Sequence, residues 1–444
     1  MDYLTGVRPT ETLEISELLS AAKPRQKVKV NGAVHTIRNM GTVAFVILRK
    51  REGLLQCVYE EGIAEFKLKE IKEAAAIEIE GILEANEKAP NGIEIRMEKL
   101  KILSEPADER LPLAISKWKL KTSLEAKLNY RSISLRNVRE RAKFRIQEGL
   151  TRAFRDFLYS QGFTEIHTPK IGAKGAEGGA NIFKLDYFHR PAVLAQSPQF
   201  YKQMMVGVFD RVFETAPVFR AEKHNTKRHL NEYTSLDFEM GYIEGFEDIM
   251  AMETGYLQYA MEMLSKDYAS ELKILGITLP KADKIPAVKF SEIKEAVSEK
   301  YGHKMRNPFD LEPEEEQLIS QYAKEEWGSD FVFVTHYPSK KRPFYAMDDP
   351  ADARYTLSFD LLFRGMEITT GGQRIHDYQM LAEKIAARGM TEEGMEDYLG
   401  TFKHGMPPHG GLGIGLERLT MKLVGEDNVR ETTLFPRDLS RLEP

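Results

Sequence analysis

The stretch FRAEKHNTKRHLNEY, from Phe219 to Tyr233, joins two runs that read as buried strands, RVFETAPVF before it and TSLDFEMGYI after it. It places many basic side chains on one predicted hairpin loop, although the formal net charge of the chain is -5. Arg220 and Glu222 flank the loop and, being two apart, share one face of a strand. The loop is a candidate for a local basic groove, whereas a solvated surface cluster is the plainer interpretation.

Charged residues recur in other strand-like segments of the same half of the chain. Asp237 and Glu239 repeat the two-residue spacing, and FDLLFRGMEITTGGQRIHD carries Asp360, Glu367 and Arg374. Burying an unpaired carboxylate or guanidinium is expensive, so these groups must pair, bind a cation or hold a ligand. A structural ion-pair network explains one pair well. Three such segments favour a ligand site.

A glycine-rich segment, HGMPPHGGLGIGLERLTMKLVG, precedes a predicted helix that bears Arg418. Its glycines, among them Gly415, would let a flat ligand approach the backbone, and Arg418 could lie over an adenine or pair with a polyphosphate. The sequence contains no GxxxxGK[ST], no HExxH, no paired cysteines and no GxSxG. The remaining candidates are arginines that could bind phosphates, carboxylates that could bind Mg²⁺ and a glycine-rich platform for a base.

The length of 444 residues predicts at least two domains. Residues 27–104 alternate apolar and polar in about five runs, which is typical of the five-stranded OB barrel that binds oligonucleotides. A short helical run, IAEFKLKEIK, is predicted between them. We expect a barrel domain over 1–107, a hinge over 108–136 and a second domain over 137–444, with an inserted helical segment around 265–345.

One long helix is predicted at the start of the second domain. NVRERAKFRIQEGLTRAFRDFLYSQG places Ile146, Leu150 and Phe154 on one face and ends at Gly162. Composition is that of a soluble protein, 42% hydrophobic and 30% charged, without an N-terminal apolar region or a run of 18 apolar residues. The single cysteine, Cys57, leaves no internal disulfide, so we expect a cytoplasmic protein that does not enter membranes.

The charged segments resemble the three signature motifs of class II aminoacyl-tRNA synthetases. HTPKIGAKGAEGG resembles motif 1 running into a closing loop, VFRAEKHNTKRHLNEYTSLDFEM motif 2, and GLGIGLERL motif 3. The resemblance covers essentially the whole chain, and a barrel ahead of the catalytic domain marks the subgroup for aspartate, asparagine and lysine. It implies an α+β multidomain fold: a five-stranded OB-fold barrel and a catalytic domain built on an antiparallel sheet flanked by helices.

Within that subgroup the segment AQSPQFYKQ resembles aspartyl enzymes of the archaeal and eukaryotic type. The resemblance implies that Lys202 and Arg374 bind the side-chain carboxylate of L-aspartate, since two cations select against a neutral amide. Asparaginyl relatives do not keep this lysine. Gln199 and Asp237 would hold the α-ammonium region, with Glu177 on the closing loop.

The same resemblance assigns the ATP site. Arg220 would hold the α-phosphate, and Arg220, Glu367 and Arg418 would be the catalytic residues, with Asp360 and Glu367 holding Mg²⁺. The implied ATP-binding residues are Arg220, Glu222, Arg228, His229, Leu230, Glu367, Thr370, Gly415 and Arg418. Adenylate formation needs positioning and charge neutralisation more than a general base, which fits a site without a nucleophile.

The barrel carries the implied anticodon-binding residues. Phe45, Arg49 and Gln56 fall on neighbouring predicted strands, where an aromatic ring could stack on a base and an amide could pair with its edge. For Phe45 alone, a place in the barrel core is the plainer interpretation. His35 and Pro90 stand where strict relatives carry tryptophan and lysine. They resemble relaxed enzymes that charge tRNA(Asn) as well as tRNA(Asp), whose product an amidotransferase then converts.

Other interpretations remain open at this point. A discriminating aspartyl enzyme or an asparaginyl enzyme keeps the same fold, and an asparagine synthetase on that fold predicts no barrel. An inactive RNA-binding paralogue predicts losses among Arg220, Glu367, Arg374 and Arg418, all of which are present. The motif 1 resemblance also implies a homodimer.

Overall fold

The computed structural model describes residues 6, 10–20, 23–108, 110–175, 181–223 and 226–443. The chain divides into two compact units, Met1–Arg141 and Ala142–Pro444. Each unit has its own apolar core.

In the described part of the first unit, five strands close into a barrel in the order β1-β2-β3-β5-β4. The strands are β1 (Lys27–Asn39), β2 (Val43–Arg49), β3 (Leu54–Glu60), β4 (Ala76–Ala85) and β5 (Ile93–Ser104). The helices of this unit are α1 (Ile15–Ser20), α2 (Leu124–Asn129) and α3 (Arg131–Ser134). Because side chains alternate along each strand, Val46, Leu48 and Leu55 fill the interior and their neighbours face outward. The predicted five-stranded barrel is confirmed.

The predicted helix IAEFKLKEIK is wrong. In this segment the structure has only a short 3-10 turn, Leu68–Glu70. Ala64, Phe66 and Leu68 pack against the barrel core, and the Phe66 ring lies 5.5 Å from that of Tyr59. Contacts at every second residue suit an extended segment better than a helix.

The second unit opens with the predicted long helix, α4 (Val138–Ser160), and Gly162 follows it with φ +77. Its strands are β6 (Thr164–Glu165), β7 (Ile171–Gly172), β8 (Lys184–Tyr187), β9 (Arg190–Leu194), β10 (Arg211–Phe219), β11 (Glu232–Gly241), β12 (Ala287–Lys289), β13 (Phe331–Thr335), β14 (Asp348–Asp349), β15 (Asp352–Thr356), β16 (Ser358–Phe363), β17 (Glu367–Gln373) and β18 (His409–Gly415). Its further helices are α5 (Gln199–Phe209), α6 (Glu247–Asp267), α7 (Ala269–Leu275), α8 (Phe290–Tyr301), α9 (Pro313–Trp327), α10 (Tyr378–Ala387), α11 (Glu396–Lys403) and α12 (Leu416–Val424).

Among the described residues, eight strands form the central sheet in the order β12-β13-β16-β17-β18-β11-β10-β6. The pairs at its two edges are parallel, and the inner pairs are antiparallel. Two smaller sheets, β7-β9-β8 and β14-β15, accompany it. The predicted catalytic domain, an antiparallel sheet with flanking helices, is confirmed.

Apolar side chains of α4 and α6 cover one side of the central sheet. Leu150, Phe154 and Leu257 are fully buried there with Phe238 of β11 and Leu412 of β18. Helices α8 and α9 pack on β13 in a separate cluster. None of the described helices combines the length and the apolar character needed to span a bilayer.

Candidate active site

A cavity of about 540 Å³ is lined by strands β11, β16, β17 and β18, by helices α5, α9 and α12 and by the segment after β10 in the second unit. The residues predicted for aspartate, ATP and metal that line it are Gln199, Lys202, Arg220, Glu222, Arg228, His229, Leu230, Asp237, Asp360, Glu367, Thr370, Arg374, Gly415 and Arg418. Segments scattered over more than 200 positions of sequence therefore meet in one place. Glu177 lies outside the described residues.

Two buried cations lie beside two buried carboxylates in this cavity. The Lys202 ammonium is 2.9 Å from Asp237 Oδ1 and 3.3 Å from Glu239 Oε2, and it donates to the Leu412 carbonyl at 2.9 Å. Arg374 donates through Nε to Glu239 Oε1 at 2.8 Å and through Nη2 to the Gly411 carbonyl at 2.9 Å. All three ammonium donors of Lys202 thus have acceptors in this structure.

Glu239 joins the two cations, and no site role was predicted for it. It is fully buried, which by itself would raise its pKa, but Arg374 and Lys202 outweigh burial and hold the pKa below its ordinary value. The spacing shared with Asp237 was the available signal, because residues two apart on β11 face the same way. Burial of both cations depends on this carboxylate.

The glycines of β18 make room for these carboxylates. Gly411 pairs with Glu239 and Gly413 with Asp237 across the sheet. A Cβ atom at Gly411 would lie 2.1 Å from Glu239 Oε2, and one at Gly413 would lie 3.0 Å from Asp237 Oδ1. A Cβ at Gly411 would also lie 2.1 Å from the Phe238 carbonyl, so glycine is needed there by the neighbouring strand and its carboxylate, which differs from the predicted purpose of admitting a flat ligand. No neighbour crowds Gly415, where a Cβ would meet only Arg418 atoms at 3.8 Å or beyond.

A buried hydrogen-bond chain fixes the predicted Gln199 from behind. Its Nε2 donates to Gln203 Oε1 at 2.9 Å, which also accepts from the Tyr398 hydroxyl at 3.0 Å. Gln203 Nε2 lies 2.9 Å from His409 Nε2, and His409 Nδ1 lies 2.9 Å from the Pro407 carbonyl. Burial lowers the pKa of His409 to about 4, so the ring is neutral and Nε2 can accept. Sequence reasoning missed Gln203 and His409, whose partners are distant in sequence.

The two predicted metal ligands lie on adjacent strands. Asp360 on β16 accepts from Arg342 Nη2 at 2.7 Å, and Glu367 on β17 accepts from the Thr370 hydroxyl at 3.1 Å. Burial raises the pKa of Asp360 to about 6, with Arg342 opposing and Glu367 adding to the rise. Burial also acts on Glu367, but Arg418 and Arg342 keep its pKa below the ordinary value. Two carboxylates that repel each other fit a shared cation.

The described residues contain no cluster of three or more histidine, cysteine or acidic side chains arranged to hold a metal by themselves. Mg²⁺ commonly takes one or two carboxylates from a protein and completes its shell with water and phosphate oxygens, and Asp360 and Glu367 could supply those carboxylates.

The far end of the cavity is the predicted phosphate end. Arg220 follows β10, and its amide donates to the Asn231 carbonyl at 2.9 Å, while the Asn231 side chain donates to the Arg220 carbonyl at 2.7 Å. His229 Nε2 lies 3.6 Å from Glu222 Oε2. Arg418 Nη1 lies 3.7 Å from Glu367 Oε2. Hydrogen bonds between Arg220 and Asn231 therefore hold the two ends of the hairpin loop close together.

The C-terminal segment holds the described part of the hairpin loop. The Val429 amide donates to the Lys227 carbonyl at 2.9 Å, and Arg430 Nη1 donates to the Thr226 carbonyl at 3.0 Å. Leu230 is buried in a small cluster with Val429 and other apolar residues. These contacts were not foreseen, because the two segments are about 200 positions apart.

In the barrel, three of the predicted anticodon residues share the outer face. Phe45 pairs with Val58, Arg49 with Leu54, and Gln56 with Ile47 across β2 and β3. Phe45 is half-buried and outside the barrel core, so the interpretation of Phe45 as a core residue is wrong. Burial and two neighbouring arginines lower the pKa of Arg49 to about 10.

Gln56 is held in place on this face. Its Nε2 donates to Glu94 Oε2 at 2.8 Å, and Asn86 donates to the same oxygen at 2.8 Å. Pro90 is exposed in the loop that follows Asn86. Glu94 thus links Gln56, which is 8% exposed, to Asn86 beside this loop.

His35, predicted to contact the anticodon, is buried in this structure. The register of β1 shifts between Val34 and Thr36, and His35 at this bulge is 3% exposed. Burial and then Arg49 lower its pKa to about 4. The ring is therefore neutral at physiological pH.

A sheet with buried arginines, a lysine and carboxylates, in a chain that also folds an OB barrel, defines the class of the protein as a class II synthetase. Residues 123–439 match the family described as tRNA synthetases class II (D, K and N), and residues 28–103 match an OB-fold nucleic acid binding domain. The chain belongs to this family of class II tRNA synthetases.

Relatives differ in the substrates that their names state. A protein of Deinococcus radiodurans named Aspartate--tRNA(Asp/Asn) ligase is 49% identical over 425 residues, covering 94% of this chain and 96% of the relative. One of Pyrococcus furiosus named Aspartate--tRNA(Asp) ligase is 41% identical over 437 residues, covering 97% and 98%. The solved structure of asparaginyl-tRNA synthetase from Pyrococcus horikoshii with asparaginyl-adenylate gives a TM-score of 0.88 at 30% identity, covering 95% of this chain and 97% of that one.

Proposed function

We propose that the protein is an aspartate--tRNA ligase. It activates L-aspartate with ATP to aspartyl-adenylate and passes the aspartyl group to the 3′ end of tRNA(Asp) and tRNA(Asn). The observation that carries the choice of amino acid is the convergence of Lys202 and Arg374 on one buried carboxylate, Glu239. A pair of cations in a water-poor site binds a substrate carboxylate far better than an amide.

Recognition of aspartate requires an exchange of partners at Lys202. Its three donors are engaged, and the contact with Glu239 at 3.3 Å is longer than those with Asp237 and the Leu412 carbonyl. We infer that the substrate side-chain carboxylate replaces Glu239 at Lys202 and is also bound by Arg374. Asparagine brings no negative charge to this exchange and leaves the ammonium under-compensated.

Asp237 would bind the α-ammonium group of the substrate aspartate. Its Oδ1 accepts from Lys202, while its Oδ2 is buried without a hydrogen-bond partner among the described residues. A buried carboxylate oxygen without a donor is costly, and an ammonium donor satisfies it. Gln199, fixed through Gln203, borders the same space.

ATP would occupy the far end of the cavity. Arg220, Arg228 and Arg418 supply cations for the phosphates, with His229 and Glu222 beside them. Asp360 and Glu367 would hold Mg²⁺, which supplies charge neutralisation on the phosphates when bound.

The chemistry follows from this placement. An oxygen of the aspartate α-carboxylate bonds to the α-phosphorus, and the bond to pyrophosphate breaks. Arg220, which follows β10, stabilises the negative charge that develops on the α-phosphate oxygens. The terminal hydroxyl of the tRNA then attacks the carbonyl carbon, and AMP leaves.

The relaxed choice of tRNA rests on the barrel. Pro90 is exposed and adds no charge to the anticodon-facing loop, and the Deinococcus relative is named for both tRNAs. We further propose a cytoplasmic homodimer, on the motif 1 resemblance, and an amidotransferase that consumes the aspartyl-tRNA(Asn). Sedimentation velocity tests the dimer.

Aspartate-dependent ATP–pyrophosphate exchange tests the activation step, with asparagine as the matched alternative substrate. Exchange with aspartate and little with asparagine is expected; the reverse preference would identify an asparaginyl enzyme. Charging of tRNA(Asp) and tRNA(Asn) transcripts then tests the relaxed choice. Charging of tRNA(Asp) alone would show a discriminating enzyme.

A further inference from the structure

Glu316, on the inserted helix α9, reaches the phosphate end of the cavity. The side chain is buried, and its Oε2 accepts from Arg228 Nη2 at 2.5 Å and from the Glu367 amide at 2.8 Å. One oxygen thus joins the hairpin loop, α9 and the start of β17. Glu316 belongs to the acidic run LEPEEEQLIS, within the inserted helical segment predicted around 265–345, and its burial differs from a solvated acidic face.

The two acidic residues that precede Glu316 make different contacts. Glu314 is 71% exposed in its side chain and lies 3.8 Å from His303. Glu315 is fully buried, closes the helix N-terminus and pairs with Lys294 at 3.4 Å. Successive residues of a helix point about 100° apart, so of these three only Glu316 lines the cavity.

Arg228 is held at its side chain and at its backbone. Nη2 of its guanidinium group donates to Glu316 Oε2, and its backbone carbonyl accepts from Arg418 Nε at 3.3 Å. The Nε of Arg228 is buried and has no hydrogen-bond partner among the described residues. A guanidinium group fixed on one side keeps further donors for a phosphate on the other.

We propose that Glu316 is a positioning residue for ATP, holding Arg228 in the orientation in which its guanidinium group meets the triphosphate. The proposal rests on the proposed function, since it takes ATP as the ligand of this cavity. A long arginine side chain loses conformational freedom when it binds a ligand, and a carboxylate that orders it beforehand lowers that cost. The bond from the Glu367 amide in turn fixes the carboxylate.

The test is ATP affinity in Glu316→Gln, measured by titration calorimetry and as KM for ATP in pyrophosphate exchange. The amide keeps the shape but not the charge, so ATP affinity should fall about tenfold while kcat stays within about twofold. Glu314→Gln, two residues earlier on the same helix, is the matched control and should leave both values unchanged. Equal melting temperatures of the two variants confirm that both are folded.

A double-mutant cycle separates positioning from a structural role. If Glu316 acts through Arg228, Glu316→Gln changes ATP affinity by less than about twofold in an Arg228→Ala background. An equal loss in both backgrounds would overturn the proposal. So would unchanged affinity in Glu316→Gln, or tighter binding, which would make Glu316 a competitor of the triphosphate.

Failure of the proposed function gives a different pattern. If the native protein binds ATP but shows no exchange with aspartate, the choice of amino acid fails and the calorimetric comparison still decides the role of Glu316. If the native protein does not bind ATP, both are overturned.

Discussion

The catalytic cavity and the outer face of the barrel hold their predicted functional residues in opposite ways. In the cavity, Lys202, Glu239 and Arg374 are 2%, 0% and 6% exposed and paired with one another. On the barrel, Phe45 is half-exposed on an outer face, and Gln56 is fixed by a single carboxylate. The first region removes charges from water. The second leaves the Phe45 ring partly exposed, while the Gln56 side chain is 8% exposed and is held by Glu94.

The difference follows from the work of each region. Charge on a reacting phosphate is stabilised best by preorganised groups in a water-poor site. A splayed base is read by stacking and by hydrogen bonds at an accessible surface. Substitutions in the cavity should therefore affect amino acid activation, and substitutions on the barrel only the steps that involve tRNA.

The largest effect is expected for Arg220→Ala. Loss of the cation at the end of β10 should slow aspartate-dependent pyrophosphate exchange by about a thousandfold or more, with tRNA binding retained. Arg211→Ala is the matched control, because Arg211 is exposed at the start of β10 and its side chain donates to the Gln161 carbonyl at 2.8 Å, away from the cavity residues. Exchange within tenfold of the native rate in Arg220→Ala would contradict the role.

Lys202→Ala should be nearly as severe, and it should also destabilise the fold. Asp237 and Glu239 would lose their shared cation, a change that costs about 3–5 kcal/mol in buried pairs. KM for aspartate should rise about a hundredfold, because a charge-assisted bond to the substrate carboxylate is lost, and such a bond contributes up to about 3 kcal/mol. The melting temperature measures the cost to stability.

A second substitution separates the two effects of Lys202→Ala. Lys202→Ala with Glu239→Gln removes the orphaned charge, so it should recover part of the melting temperature without recovering activation. Recovery of both would mean that Lys202 serves only the fold.

Sequence spacing placed the charged residues of this cavity well but not their partners. The strands around Arg220 and Asp237 follow from local periodicity, and so do the five strands of the barrel. Arg228 and Glu316 are 88 positions apart, and no local pattern relates them. The bulge that buries His35 was equally out of reach, because it depends on how β1 pairs with β2.

Phe45→Ala and Gln56→Ala test the other side of the comparison. Loss of a stacking ring or of a base-pairing amide should raise KM for tRNA by about tenfold to a hundredfold and leave pyrophosphate exchange unchanged. Ile102→Ala, an exposed apolar residue near the end of β5, is the control for loss of apolar surface. A fall in exchange would break the separation of the two regions.

The two regions should also respond to pH in opposite directions. Burial raises the pKa of Glu417 in α12 to about 7, so the stability from its protonated form is present below its unfolded pKa and lost as pH rises through 7. Burial lowers the pKa of His35 to about 4, so stability is lost as pH falls from 6.5 through 4.

Matched neutral variants measure these slopes. In the native protein the Thr234 amide donates to Glu417 Oε1 at 3.0 Å, and Glu417→Gln keeps an oxygen that can accept this bond. The variant should raise the melting temperature by about 2–4 °C more at pH 8 than at pH 5. The melting temperature of His35→Gln should rise relative to the native protein only at pH 5. Parallel curves of melting temperature against pH for native and variant proteins would contradict the assigned pKa shifts.

The smallest effect is expected at Pro90, where the barrel meets solvent. Pro90→Lys adds one flexible cation on an exposed loop, where a single charge contributes about 1 kcal/mol or less. The ratio of kcat/KM for tRNA(Asp) over tRNA(Asn) should therefore rise only about three- to fivefold. Glu87→Lys, exposed in the same loop, is the control for charge alone and should strengthen binding of both tRNAs equally. If both variants change the ratio alike, the loop attracts RNA without reading it, and the choice between the two tRNAs lies elsewhere in the barrel.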